Sequence, residues 1–342
     1  MTGNTGNTGN TGNTGNAGIS GDMGGGWFVP DRADFPFITE TYPATGSGTG
    51  RIANLRRAVH IRDETTGPKR LVKFRSANAD DAPSVAFDDI NWGARWYAFG
   101  VLIPFAGQWD PDAINDDLAD ILLALNGHAD PNAPVPVTKQ ALEIDLLCAM
   151  ARDERASALG EILSQDVEFI TTFMEFLSMT PGSHPRTYRV LHIASLVASF
   201  AALHFKHEFN RPRPSWQCPA LLPPVPVPGH SAYPSGHATQ AHLIALCMRH
   251  VLGLVDPPLP QRDTDALNEG LNALAHRIAR NREIAGLHYP SDSAAGKLLA
   301  NAVFGTLAAP DPQNPNDYAL KPFGRAVLAA ARLEWTPDRA YP

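Results

Sequence analysis

The sequence predicts an all-α protein, a helical bundle whose loops gather charged side chains at one end. Two observations carry this. Apolar residues recur at three- and four-residue spacing, the period of a helix face, through most segments between Asp112 and Trp335. Proline and glycine cluster between those segments, at 130–137, at Pro181-Gly182 and at 218–230, where helices are interrupted. A chain of 342 residues with 44% hydrophobic content can bury one sizeable core. Residues 1–26 are a disordered Thr-Gly-Asn-rich tail in this reading, 27–110 an irregular N-terminal extension packed on the bundle, and 111–342 the helical domain.

The tail cannot bury enough surface to offset its ordering entropy, and it lacks the basic and apolar regions of a secretory signal. From Trp27 to Asp81 arginines and lysines are interspersed with Val and Ile. Arg57–Ile61 and Arg70–Phe74 flank Thr66-Gly67-Pro68 and allow a short hairpin. The basic residues there suit a solvated face or a ramp for a charged substrate.

Asp112–Asn126 reads as a helix through Ile114, Leu118, Ile121 and Leu125, and Lys139–Met179 keeps the same period as two helices. Arg186–Phe209 presents Leu191, Leu196, Val197, Phe200 and Leu203 on one face and ends on Lys206. His192 and His204 interrupt its apolar run, so it reads as a buried bundle helix rather than a membrane span, which needs about 20 predominantly apolar residues. Ala238–Leu254 and Asp263–Arg280 follow. Pro290 opens another helix whose small residues, up to Gly296, allow close packing, and a last helix covers Tyr318–Trp335.

The chemistry gathers around Tyr233-Pro234-Ser235-Gly236-His237-Ala238. Ser235 can cap a helix, and Gly236 lets the main chain approach a ligand with no side chain in the way. An anion at that helix start meets unpaired N–H groups, the positive end of the helix dipole and the Ser235 hydroxyl. His237 beside it can transfer a proton near neutral pH. Lys206 and Arg213 upstream, and Arg282 downstream, supply three positive charges for one anion, the arginines through paired hydrogen bonds. His288, four residues before Asp292, is a nucleophile or ligand with an orienting carboxylate.

Lys-x6-Arg-Pro, then Pro-Ser-Gly-His, then Arg-x5-His-x3-Asp, in that order within residues 206–292, resembles the superfamily of type 2 phosphatidic acid phosphatases (PAP2) and vanadium-dependent haloperoxidases. The resemblance covers about a quarter of the chain. It implies a helical bundle with His288, His237 and Asp292 as catalytic residues and Lys206, Arg213, Ser235, Gly236 and Arg282 as phosphate or vanadate ligands. Asn281 stands where the family has serine, which bears on the surroundings of Arg282. Two reactions fit. A PAP2-type phosphatase needs no cofactor and hydrolyses phosphate monoesters through a phosphohistidine, without a divalent metal and with inhibition by vanadate. A haloperoxidase carries vanadate, with His288 as the metal ligand, and oxidises halide with hydrogen peroxide. The first reading is preferred because Pro212, and Pro290-Ser291 between the last His and Asp, look more like phosphatase members. A non-catalytic phosphate-binding helical module is the third reading.

The partners expected are a small phosphate ester, or peroxide and halide. The net charge of −7 gives no general pull toward nucleic acid or an anionic membrane. A homo-oligomer is left open. No signal or membrane span is read, and a cytoplasmic location is expected. Cys148, Cys218 and Cys247 are too few and scattered for a disulfide framework or a zinc site, and fit a reducing compartment. His207, His230 and His242 match no motif and are assigned structural roles. Glu143, Asp145, Asp153 and Glu154 lack the Glu-x-x-His pairing of a di-iron site.

Overall fold

The computed structural model of the chain describes residues 60–63, 67–70, 93–127, 137–320 and 323–336. The Thr-Gly-Asn tail and most of the N-terminal extension lie outside them. β1 (His60–Asp63) and β2 (Gly67–Arg70) form an antiparallel hairpin in which His60 pairs with Arg70 and Asp63 with Gly67. The strands lie nearer the turn than the alternation of residues 57–61 and 70–74 indicates, and Gly67-Pro68, expected in the turn, belongs to the second strand.

The rest is helical. α1 (Ala94–Ala106) falls inside the extension that was expected to be irregular. It buries Tyr97, Val101 and Phe105 while exposing Trp96, Phe99 and Ile103, and Pro104 stands near its end. A helix that is apolar on every side carries no three-to-four alternation, which is why periodicity misses it. α1 packs on α6 (Pro185–Phe209), where the Arg189 guanidinium lies 4.5 Å from the Tyr97 ring centre.

α2 (Asp112–Leu125) agrees with its expected range. The stretch 139–179 forms three helices rather than two: α3 (Lys139–Asp153), α4 (Arg155–Val167) and α5 (Ile170–Phe176). The added break falls at Glu168, whose backbone is extended and whose carboxylate accepts the free N–H of Thr171 at 3.0 Å. A carboxylate at that position satisfies an orphan donor as a capping side chain does. α3 is capped in the usual way, Thr138 Oγ1 accepting from Ala141 N at 3.2 Å.

α6, α8 (Gly236–Gly253), α9 (Gln261–Ile284) and α10 (Pro290–Leu307) build the centre, with α8 in contact with each of the other three. The segment Pro185–Gln217 is the one stretch among the described residues long and apolar enough to cross a membrane by length and composition. In its most apolar window 78% is buried inside the bundle. Polar contacts add register: buried Gln240 of α8 donates to Ser195 Oγ (2.7 Å) and Ser199 Oγ (3.1 Å) of α6.

α8 and α10 meet at Gly296, where an added Cβ would sit 2.7 Å from Ser235 O, 2.8 Å from Ala238 Cβ and 3.1 Å from Thr239 N. Two of these three neighbours are backbone atoms that cannot rotate away. Gly296→Ala is therefore expected to cost about 1–3 kcal/mol by overpacking and to move the Ser235 turn. Urea unfolding together with sulfate affinity checks this, and a variant unchanged in both would contradict the packing argument.

The C-terminal end departs from the expected single helix. β3 (Pro310–Asp311) pairs with β4 (Asn314–Tyr318), so Tyr318 ends a strand. A π-helical turn at Gly324–Leu328, α11 (Ala329–Arg332) and a 3₁₀ turn at Leu333–Trp335 follow. Pro322 in the sequence prevents one helix from running through. The Tyr318 ring lies against Gly324, where it leaves no room for a Cβ.

Candidate functional site

Three chain turns carry the site. α6 ends at Asn210, which takes the left-handed conformation at φ 44° that asparagine tolerates better than most residues. Lys206 thus lies in the last turn of α6, and Arg211 and Arg213 lie on the reversal after it. Arg213 precedes α7 (Pro214–Gln217), which opens on Pro214. Ser235 caps α8, its Oγ accepting from Ala238 N at 3.4 Å, and its own N–H donates to Asp292 O at 2.9 Å. The Pro-rich 218–230 segment contains a 3₁₀ turn at Pro219–Leu221 and leads to Ser231 and Ala232, whose carbonyls each accept from Lys206 Nζ at 2.9 Å.

The structure brings the sequence-predicted residues together and buries them. Arg282 and Asp292 are 0% exposed, Arg213 1%, and Lys206 and His237 3%. Arg213 donates from Nη1 to Leu287 O (2.9 Å) and His288 Nε2 (3.1 Å), from Nε to His230 O (3.1 Å) and from Nη2 to His230 Nδ1 (2.9 Å). Arg282 donates from Nη2 to Ile162 O (2.7 Å) and faces Asp166 at 3.5 Å, while its buried Nε has no partner among the described residues. Lys206 has two of its three N–H donors engaged, which leaves one for a guest.

The histidines have different settings. His288 Nδ1 lies 3.2 Å from Asp292 Oδ2, which also accepts from Tyr289 N at 2.9 Å. With Nδ1 as donor to the carboxylate, the lone pair sits on Nε2 and accepts from Arg213. His237 Nε2 donates to Gln165 O (3.1 Å), and its ring lies against Phe169 with centres 5.2 Å apart. That contact leaves Nδ1 to take up a proton.

Burial and positive neighbours act together. Desolvation, then Arg213, holds the Lys206 ammonium well below its ordinary value. Burial lowers Arg213 and Arg282 to about 10. Burial, then Arg282, Arg213 and Lys206, pushes the His237 imidazole well below 6.5. Burial, then Arg213 and Lys206, does the same to His288. All three cations thus act on one imidazole and two of them on the other. This is a concentration of positive charge that an anion would relieve.

Several residues outside the motifs complete the arrangement. Arg211 donates from Nη1 to Asp292 Oδ1 (2.6 Å) and Ser291 Oγ (2.7 Å) and from Nη2 to Glu143 Oε2 (2.9 Å), and its guanidinium lies 3.7 Å from the Tyr289 ring centre. Glu143 also accepts from Ser291 N at 2.7 Å, so it closes one of the orphan donors at the start of α10. Burial pushes the Asp292 carboxyl up, and Arg211 acts against this. Asn281 donates to Gln165 Oε1 (2.9 Å) and Glu161 Oε2 (3.0 Å) of α4, the helix whose Ile162 and Asp166 hold Arg282. The amide in place of serine thus anchors α4 behind Arg282. His230 supports Arg213, the structural role assigned to it, and Glu143 is an ion-pair partner. Among the described residues no group of three or more His, Cys, Asp or Glu is arranged to hold a metal ion. Cys148 and Cys218, scattered in sequence, have their Sγ atoms 3.8 Å apart.

No protein-family model matches the chain. It is similar to the decaprenylphosphoryl-5-phosphoribose phosphatase of Mycobacterium tuberculosis, 33% identical over 118 residues that make up 34% of this chain and 58% of the phosphatase. It is also similar to the vanadium-dependent bromoperoxidase of Ascophyllum nodosum, 35% identical over 95 residues, 22% of this chain and 17% of the peroxidase. The chain spans just over half the length of the first relative and less than a fifth of the second. Both relatives are enzymes, and together they point, at that coarse level, to the phosphatase and haloperoxidase superfamily.

Proposed function

We propose that the chain is a phosphatase of the PAP2 type that hydrolyses phosphate monoesters through a phosphohistidine on His288. The observation that carries this is a buried imidazole held at Nδ1 by Asp292, with its Nε2 lone pair turned to the Arg213 guanidinium. Lys206, Arg213, Arg282, Ser235 and the Gly236 N–H bind the phosphoryl oxygens, and Arg213 passes its Nη1 donor from His288 to the phosphate. Nε2 then attacks phosphorus, the bond to the leaving oxygen breaks, and His237 gives that oxygen a proton. Water hydrolyses the phosphohistidine with His237 as base. Asp292, held in place by Arg211, stabilises the positive charge that His288 gains.

The phosphatase relative covers the greater share of this chain and supports the choice. The bromoperoxidase relative supports a second reading, in which the same pocket holds vanadate. Arg282 Nε, without a partner among the described residues, and the spare Lys206 donor fit an oxyanion of either kind. His288 Nε2 would ligate the metal, with Lys206, Arg213, Arg282, Ser235 and Gly236 on its oxygens. Bound vanadate would supply activation of peroxide toward halide.

One assay separates these readings: p-nitrophenyl phosphate with and without orthovanadate, in parallel with peroxide, bromide and a phenolic dye. Phosphate release without added divalent metal, stopped by vanadate, is expected. Dye bromination in place of phosphate release would transfer the proposal to the haloperoxidase. Phosphate binding with no turnover of either kind would leave a binding module.

The charge state of the pocket makes a further prediction. Lys206, His237 and His288 all bind protons less readily than ordinary lysine and histidine because they are buried among positive charges. An anion cancels that repulsion, so binding is coupled to proton uptake. Sulfate, which does not itself titrate in this range, is expected to bind more tightly as pH falls from 8 to 5.5, by up to about tenfold per unit for each proton taken up. Calorimetry in buffers of different ionisation enthalpy measures the uptake. A pH-independent affinity would contradict the electrostatic account.

A further inference from the structure

The three helices that carry Ser235 and His237, Arg282, and Asp292 also border a second, separate groove that opens at the surface. It has a volume of about 630 Å³, and His242, Arg249, Glu269, Asn272, His276 and Lys297 are among its lining residues. His242 lies five residues after His237, Lys297 five after Asp292 and His276 six before Arg282. At about 1.5 Å per residue this sets the cavity roughly 8 Å along each helix from the first site.

Two permanent cations, Arg249 and Lys297, two imidazoles and one carboxylate face this space, on a chain whose net charge is −7. The imbalance is local. Arg249 Nη1 donates to Asn272 Oδ1 at 3.4 Å, while its buried Nε has no partner among the described residues. His242 is 8% exposed, and burial first, then Lys297 and His276, disfavours its protonation. A buried donor without an acceptor, beside a second cation at the rim, is matched by one kind of guest, an anion. The volume exceeds that of a single phosphate. The lining contains no aromatic carbocycle on which a base could stack, and its apolar members are Leu246 and Ala273.

We infer that this groove between α8, α9 and α10 is a second anion site, built for an oligophosphate or a multiply phosphorylated small molecule and distinct from the His288 centre. Arg249 and Lys297 bind the charged groups, His242 and His276 provide ring nitrogens at the walls, and Glu269 excludes ligands that would place an anion at its end. The inference does not rest on the phosphatase reading.

The test uses the full chain, inorganic tripolyphosphate and the double variant Arg249→Gln/Lys297→Gln. Calorimetry is expected to show a binding event that the double variant weakens by at least about tenfold, the effect of losing one charge-assisted hydrogen bond or more. Melting temperature and p-nitrophenyl phosphate turnover should match the wild type. A variant isotherm indistinguishable from the wild type would overturn the site. Nuclear magnetic resonance gives an independent readout: tripolyphosphate should shift the His242 ring titration upward from about 4. A ring titration unmoved at saturating ligand would overturn it equally, even if the double variant proved unstable.

Discussion

His288→Ala is expected to lower phosphate-ester turnover on the order of 10⁴-fold or more, since it removes the atom proposed to bond to phosphorus. Binding should survive, because Lys206, Arg213 and Arg282 are held by carbonyls at Ser231, Ala232, Leu287, His230 and Ile162 rather than by the imidazole alone. Rapid acid quench with radiolabelled substrate should trap an acid-labile phosphoprotein in the wild type and none in the variant. Asp292→Asn would keep the side chain's shape while replacing the acceptor opposite His288 Nδ1 with a weaker or donating group, so a smaller loss, about 10²–10⁴-fold, is expected. His237→Ala should slow esters with poor leaving groups far more than p-nitrophenyl phosphate, whose leaving oxygen needs little protonation. If His288→Ala turned over p-nitrophenyl phosphate at the wild-type rate, the phosphohistidine route would be wrong while the anion pocket could stand.

The part of this arrangement legible in the sequence is the part written as spacing along helices. Lys206 in the last turn of one helix, Ser235 at the N-cap of another, and His288 with Asp292 four residues on are local patterns. Ser235 caps α8, as its place before Gly236 predicts. What spacing does not encode is the partner across the fold. Arg211 stands in plain view beside Arg213, yet its meaning depends on Glu143, 68 residues earlier, and on Asp292, 81 later. Glu143 reads as one more charge on an amphipathic helix until α10 docks its first turn onto it. The same limit hid Gln165, whose carbonyl orients His237 across 72 residues. The fold errors have a different origin. α1 has no polar face to produce periodicity, the Glu168 break depends on a side chain folding back on Thr171, and Tyr318 is held in a strand while its ring covers Gly324. In each case a contact decided what local pattern left undetermined.

Arg211→Ala is expected to cost about 3–5 kcal/mol of stability, the range for breaking a buried ion pair by removing one partner. Arg211 is 6% exposed, and it is bonded to Asp292 at 2.6 Å and Glu143 at 2.9 Å, so its loss strands one fully buried carboxylate and one nearly so. Its guanidinium also covers the Tyr289 ring, a packing contribution that alanine forfeits. The pH dependence distinguishes stranded charge from lost packing. Without Arg211, the Asp292 carboxyl, already pushed up by burial, rises further. A folded-state carboxyl above its unfolded value destabilises at neutral pH and ceases to do so once pH falls below the unfolded value, near 3.9. The deficit of the variant against wild type should therefore be largest near pH 7 and shrink toward pH 4. Arg211→Lys should recover part of the stability but little of the turnover, because one ammonium cannot span Asp292, Ser291 and Glu143 together. Adding Glu143→Gln to Arg211→Ala should return part of the loss, since it removes one of the two stranded charges. Urea unfolding of the four proteins across pH measures all of this, and a cost below about 1 kcal/mol for Arg211→Ala, typical of a solvent-exposed pair, would mean that water reaches these carboxylates and that Arg211 does not organise His288.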